Sequence, residues 1–558
     1  MPLDRNALAP IVIGVVAPPS TPEHTSEMLK ERLAGALEKW KHKWRHSPFL
    51  ILRPQSLRDL DLNDDRVETI AVHKACFARS KNPEACVLAY IARHAHILVA
   101  VGENDPFVQA AVSEFETGDP GASAAASDYM QAAEDHPSIP DYPTLRRHAG
   151  ISKEKLGLVW RMPISEGEQN EPIPPEESLP AYLNSIERFN EEATTAEDIE
   201  NTREQAKKWF PLGSDPAKNP NAFGVARLRE AFATADGVAQ NFRDIALGHF
   251  RLVAALVFLA VVAIKVADHL EAYRLWGGAA FAALFAVLLG IQYDFHRRKD
   301  HHRHLEYRML AEGLRVQIAW IVAGLQDPVC DHQPIKQLRK SEWVWHALRG
   351  LHAQAMAGGC PSLMTPDTLK EVREQWIDDQ KNYLERKIEG KKRKHAWSIK
   401  IDSIRSKLAI AERVRLASLV LGGAFLAAGH ILDAPVPVVH EKIVSALPLL
   451  PHESVFAVFS FLGVALLAVA FLADKAMQAL ALREELEWYQ AMRDAYESAS
   501  KALENIAPSH APASGLAPAQ RLFAERLLLR LGALALEETS VWADLHKRVD
   551  LFKIRPEA

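Results

Sequence analysis

Cysteine is scarce in this chain: four residues in 558, at Cys76, Cys86, Cys330 and Cys360, with no C-x-x-C pair among them. Cysteines so far apart suit a reducing compartment better than a disulfide framework. A dominant charge is also lacking, since 66 Lys and Arg stand against 71 Asp and Glu for a formal net charge of −5. That balance gives no global reason to expect nucleic acid, so charge arguments have to be local. The standard catalytic signatures are missing: there is no G-x-G-x-x-G, Walker-type loop, G-x-S-x-G or H-E-x-x-H. The start, MPLDRNALAPIVIGVVAPPS, has a short apolar run between Pro10 and Pro18 but no basic region ahead of it. It reads as a buried strand rather than a signal peptide.

Long hydrophobic runs, by contrast, are present, although the mean hydropathy is slightly negative. LWGGAAFAALFAVLLGIQY (Leu275 to Tyr293) is uncharged, and SVFAVFSFLGVALLAVAFLA (Ser454 to Ala473) is the clearest of four such segments. The others lie near 250–268, where Lys265 can snorkel to the interface, and near 416–432. Each is close to the ~20 residues a helix needs to cross a bilayer. Buried helices of soluble proteins usually keep a polar stripe, and these have almost none. The basic clusters HRRK (296 to 299) and KKRKH (391 to 395) lie on one side of the spans, and the two connectors on the other are short or nearly free of Lys and Arg. The positive-inside rule then puts both termini in the cytoplasm.

The stretch DFHRRKDHHRH (Asp294 to His304) carries four histidines and four arginines or lysines. Its basic residues sit where a membrane helix ends and hold it to the cytoplasmic leaflet. His296, Asp300 and His304 recur at i, i+4, i+8, so a continuing helix stacks them as a candidate divalent-metal set, against the blander reading of a histidine-rich run. Within the second span Gly278, Ala282, Ala286 and Gly290 repeat every four residues, and Gly423 and Ala427 do so in the third. Such small-residue faces let helices approach closely, in one chain or between copies in a homo-oligomer.

Ahead of the spans, IVIGVV (11 to 16), FLILRP (49 to 54) and HILVAV (96 to 101) alternate with helical stretches, which indicates a parallel, Rossmann-like sheet. Ligands of such sheets bind at the carboxyl ends of strands. Those ends hold Ser20 and Thr21 after the first strand and Gly102 and Glu103 after the third. GDPGASAAAS adds Asp119, Gly121 and Ser123 in a glycine-rich turn, read either as a phosphate cradle or as a surface loop.

The expected fold is therefore an α/β Rossmann-like N-terminal domain joined to a mostly α-helical membrane region with four transmembrane helices in two hairpins and long cytoplasmic helices. The expected boundaries are 1–165 for the Rossmann-like domain and 166–225 for an acidic, proline-rich linker and connecting helix. The first membrane hairpin and its arm follow at 226–355, the second at 356–505, and a linker with a C-terminal helix at 506–558.

EACVLAYIARHAHILVAVGEND, LGLVWRMPI and SIERFNEE resemble the SLOG-type nucleotide-binding domains that bacteria fuse to membrane helices. EYRMLAEGLRVQIAWIVAGL, KSEWVWHALRGL and LGALALEETSVWADLHKR resemble the helices around the hairpins of SLATT-type effectors. The chain departs from the pattern where APPSTP stands in place of a Gly-His-Arg-like turn, and where VGENDP is not followed at once by a Gly-Gly-Thr turn. The resemblance implies an antiphage effector of the bacterial inner membrane, with a nucleotide second messenger as ligand and the bilayer as partner. Two alternatives stand beside it. A membrane-anchored nucleotide-processing enzyme would need a carboxylate such as Glu103, Asp105, Glu114 or Asp119, and a transporter or channel would turn Lys265 toward a polar cavity. No constellation singles out a catalytic residue, so a non-enzymatic role is favoured.

The charge asymmetry generates the first prediction. Reporter fusions at either end of the protein will report a cytoplasmic location in intact cells; a periplasmic C-terminus would mean an odd number of spans.

Overall fold

The structure is a computed structural model. It describes residues 7–57, 59–62, 64–72, 83–102, 105–117, 157–162, 172–196, 199–211, 222–269, 274–298, 300–325, 327–332, 341–356, 364–389, 403–433, 452–479, 482–506 and 516–548. Two compact units emerge, each built from several stretches of chain. The first comprises Met1–Asn241, His304–Lys381 and Asp494–Ala543; the second comprises Phe242–Arg303, Asn382–Arg493 and Asp544–Ala558.

The first unit opens with the expected parallel sheet: β1 (Ile11–Val16), β2 (Phe49–Pro54), β3 (Val67–Val72), β4 (Ile97–Val101) and β5 (Leu158–Met162), in the order β3-β2-β1-β4-β5. The register pairs Val12 with Leu50, Leu52 with Ile70, Gly14 with Leu98 and Val99 with Trp160. β1 and β4 are buried throughout, which is why they read as continuous apolar runs and not as alternation. The chain builds outward from β1 to β3, then returns to lay β4 on the other side of β1. This reversal places a topological switch point between β1 and β4.

Helices α1 (Glu23–Lys43), α2 (Pro83–His94) and α3 (Pro106–Thr117) complete the βα units. Val12 and Val16 share one buried cluster with Leu50, Leu98, Ile91 of α2 and Phe115 of α3. Gly14 lets α2 come close, since a Cβ there would meet Ala95 Cβ at 2.7 Å and Ile91 Cγ2 at 2.9 Å. The amphipathic helix α4 (Tyr182–Thr195) buries Leu183, Ile186, Phe189 and Asn190. Asn190 accepts from Ala9 N at 3.0 Å and donates to Ala9 O at 2.9 Å, while Glu187 accepts from the backbone amides of His46 and Ser47. It therefore fastens the chain just ahead of β1 and β2. α5 (Ile199–Ala206) and the start of α6 (Ala222–His269) follow.

After α7 (Arg274–Arg298), α8 (Asp300–Ala323) contributes to the first unit from His304 onward. α9 (Glu342–Met356), expected beside the first membrane hairpin, covers the sheet instead. Its Ala353 belongs to the cluster of Val12 and Ile91, and a Cβ on its Gly350 would lie 3.1 Å from Val12 Cγ2. Next come α10 (Pro366–Val372), capped by Thr365, a π turn at Arg373–Asp378 and α11 (Asp379–Glu389).

The second unit contains α12 (Ile404–Asp433) and α13 (His452–Ala479), packed antiparallel: Arg415 pairs with Asp474 at 3.5 Å, and the Phe425 and Phe459 rings lie 5.4 Å apart. At their crossing a Cβ on Gly463 would sit 2.6 Å from Leu426 Cγ, and one on Gly422 3.0 Å from Gly463 O. The chain continues through α14 (Leu482–Ile506) and α15 (Pro518–Arg548).

Three helices among the described residues are long and apolar enough to cross a membrane, within Ala222–Ile264, Trp276–Phe295 and Val458–Lys475. Almost none of their apolar windows is buried. The fourth expected segment, 416–432, lies inside α12.

The crossing of α12 and α13 generates a paired prediction. Gly422→Ala forces backbone apart and will destabilise the protein in detergent by about 1–3 kcal/mol, as overpacking does. Gly423→Ala meets nothing within 4 Å, gains helix propensity, and will leave the thermal midpoint unchanged or raise it.

Candidate functional site

Two places in the first unit combine polar chemistry with a framework that can position it. The first is the switch point, where the chain leaves the carboxyl ends of the neighbouring parallel strands β1 and β4. Ser20 is exposed there. Thr21 closes a turn by donating both its amide (3.2 Å) and its hydroxyl (2.6 Å) to Pro18 O. Gly102 adopts φ 75°, a left-handed conformation that favours glycine. Its amide donates to Met162 O of β5, and its carbonyl accepts from Asp105 N, both at 3.0 Å.

Asp105 then caps α3, its Oδ1 accepting from the amides of Phe107 (2.9 Å) and Val108 (3.2 Å). α1 begins behind Pro22, with Glu23 in its first turn. At α3 a carboxylate therefore already holds the amides that a phosphate would otherwise find free, whereas α1 has an acidic Glu23 in its first turn but no side-chain cap. The described groups suit the hydroxyl or amino groups of a ligand better than its phosphates. Glu103, Asp119, Gly121 and Ser123, and the side chain of Glu114, fall outside the described residues.

The second place was not anticipated. Asp331, in a short 3-10 turn at Val329–His332, lies between two guanidinium groups: Arg349 Nη2 of α9 at 2.6 Å and Arg93 Nε of α2 at 3.4 Å. Asp331 is 3% exposed and Arg93 4%. Cys330 beside them is buried, and burial pushes its thiol up to about 11. It is thus a protonated, inert group at neutral pH. Around Arg349 stand His94, His96, His346 and His352, all buried. The signal was in the sequence as RHAH (93 to 96) ahead of an apolar strand, and as His346, Arg349 and His352 three apart on a largely apolar helix.

The other expected positions fare differently. The side chains of His296 and Lys265 lie outside the described residues. Asp300 is buried, and His304 is engaged through Nδ1 with Ala239 O at 2.9 Å. Among the described residues no three His, Cys, Asp or Glu side chains are grouped to hold a metal ion. Gly278, Ala282, Ala286, Gly290, Gly423 and Ala427 are all exposed, and a Cβ on Gly278, Gly290 or Gly423 would meet nothing within 4 Å. Gly422 and Gly463, which bring α12 and α13 together, were not singled out by the four-residue repeat.

Comparison of the chain with protein-family models, curated proteins and solved structures gives no match.

The Asp331 pair generates a stability prediction. Asp331→Ala strips two buried guanidinium groups of their shared carboxylate and will cost about 3–5 kcal/mol in chemical denaturation. Asp105→Ala, which removes only a helix cap, will cost about 1 kcal/mol.

Proposed function

We propose that the protein is a multi-pass effector of the bacterial inner membrane, with its Rossmann-like domain in the cytoplasm sensing a nucleotide-derived signal and its apolar helices permeabilising the bilayer in antiphage defence. The observation that carries this reading is the presence, in one chain, of a parallel sheet with a topological switch point and three long apolar helices whose side chains are left uncovered. Leu252, Leu259, Phe285, Leu289, Leu416 and Phe471 are each exposed by 45% or more, a surface that water does not tolerate in such continuous bands. Trp276 and Tyr293, both exposed, stand roughly 26 Å apart along α7 at about 1.5 Å per residue, near the thickness of a hydrocarbon core. Aromatic residues favour the two interfaces of a bilayer. With α12 counted as the fourth span, the spans form two hairpins with both termini cytoplasmic. The outward-facing set Gly278, Ala282, Ala286 and Gly290 supports close packing against another copy.

The carboxylate of Asp105 is occupied as a helix cap, which supports sensing over turnover. A ligand held here would be read through its ribose hydroxyls and base edge, with a guanine or adenine amino group meeting carboxylate oxygen.

Purified full-length protein will retain or bind a cyclic or linear nucleotide, seen by mass spectrometry of released ligand and by calorimetry, and cells expressing it will depolarise when that nucleotide is raised. Gly102→Val strains the loop at φ 75° and will abolish both responses while leaving the protein in the membrane fraction. Depolarisation without nucleotide binding would remove the sensing half of this reading. Binding without depolarisation, even during phage infection, would remove the effector half.

A further inference from the structure

The histidines around Arg349 form a seam between α9 and the sheet. His96, the residue before β4, accepts from Val12 N of β1 through Nδ1 at 3.1 Å, and donates through Nε2 to His346 O of α9 at 3.0 Å. A backbone amide only donates and a carbonyl only accepts, so the neutral ring with its proton on Nε2 is the one form that meets both. A second proton would set Nδ1–H against the amide of Val12. His94 donates through Nδ1 to Tyr90 O at 2.8 Å, while its buried Nε2 meets no acceptor for a second proton among the described residues, and its ring stacks on His352 of α9 at 5.7 Å. His346 lies edge-on to His96 at 5.5 Å and stacks on Tyr182 of α4 at 3.7 Å.

The charged groups facing these rings come from every neighbouring element. Arg349 rises from α9 itself and Arg93 from α2, with Asp331 between them, while Glu342 approaches His346 at 3.6 Å. Cys330 and Tyr182 complete the surroundings, and both are held neutral by burial. Burial first, then the neighbouring histidine, holds His94 and His96 well below the ordinary histidine range; burial also lowers His346, against the pull of Glu342.

We propose that this seam is an acid-operated latch: the buried, neutral rings of His94, His96 and His346 hold helix α9 on the sheet at neutral pH, and proton uptake by these rings releases the helix when the pH falls. The inference stands apart from the membrane reading. A histidine whose folded pKa lies below its unfolded value of about 6.5 contributes its full stability above that value and loses it as the pH falls further. The latch is therefore closed at about pH 7.5 and weakens below about pH 6.5, by about tenfold per pH unit for each ring that takes a proton on opening.

Hydrogen exchange of the full-length protein in detergent, corrected for the intrinsic pH dependence of exchange, reads the latch directly. Between about pH 7.5 and about pH 5.5 the amides of 342–356 will lose protection steeply, while those of α1, whose Trp40 packs on Trp160 of β5, will not. His96→Gln keeps both hydrogen bonds, since its carbonyl accepts from Val12 and its amide donates to His346, but it does not titrate. That variant will lose protection with one proton fewer, leaving 342–356 about tenfold better protected at about pH 5.5, relative to its own neutral value, than in the wild type. His346→Phe keeps the stack on Tyr182 and the backbone carbonyl that accepts from His96, and serves the same purpose where the glutamine variant does not fold. Wild-type protection that is flat across this range overturns the proposal, as does a variant whose loss is as steep as the wild type's.

Discussion

A parallel sheet buried on both faces cannot fold without something to cover it, and here part of the cover comes from far along the chain. β1 is buried from Ile11 to Val16, so each face needs a layer of helix. One face takes α2, α3 and Ala353 of α9; toward β5, Trp40 of α1 meets Trp160 edge-on at 6.3 Å. The sheet, most of α8 and α9 consequently belong to one compact unit, although membrane-length segments interrupt the sequence between them. Long-range closure of this kind makes the first unit slow to assemble and dependent on every segment being present.

The apolar helices pose the complementary problem. Helix α7 exposes Phe285, Val287 and Leu289 within five residues, with no polar stripe to offer to water. Burial inside the chain would remove that surface, and so would lipid; among the described residues almost none of the apolar window is covered, as in a helix long and apolar enough to cross a membrane. α12 and α13 pair through small residues. Gly422 and Gly463 bring their backbones into close approach, the kind of packing that does not need a hydrophobic driving force, and the Arg415–Asp474 pair joins the same two helices.

Much of the sheet was legible because its central strands are written as unbroken apolar runs: IVIGVV, FLILRP and HILVAV all proved to be strands. β3 was not, since VETIAV lies at the edge and is only half buried, so its pattern blends into a loop. β5, LVWRM, is short and carries Arg161, which pairs with Glu116 of α3. The role of α9 could not be read at all, because amphipathic spacing reveals that a helix has a buried face but not what buries it. The same limit explains the glycines. A four-residue repeat marks a face that permits close approach, and only the neighbour decides that Gly422, one position from the predicted Gly423, is the one used. Of the switch-point residues, Ser20, Thr21 and Gly102 followed from strand order alone, whereas the capping role of Asp105 depended on where α3 begins.

The polar seam under α9 is a physical anomaly in an otherwise apolar interface. A helix covering a sheet is most cheaply held by leucine and valine, and replacing a buried ion pair with apolar residues of the same volume is often neutral or stabilising. Arg93, Asp331, Arg349 and the four histidines therefore weaken the contact relative to what the same backbone would support. What they add is conditionality: an apolar seam responds only weakly to protons, while this one requires His96 to stay neutral and Asp331 to face both guanidinium groups at once. Packed interfaces move between discrete states and do not deform continuously. An element that crosses the sheet, carries Arg349 at the centre of that network, and is tethered by a titratable ring to β1 is thus built to be either seated or released, with few intermediate positions.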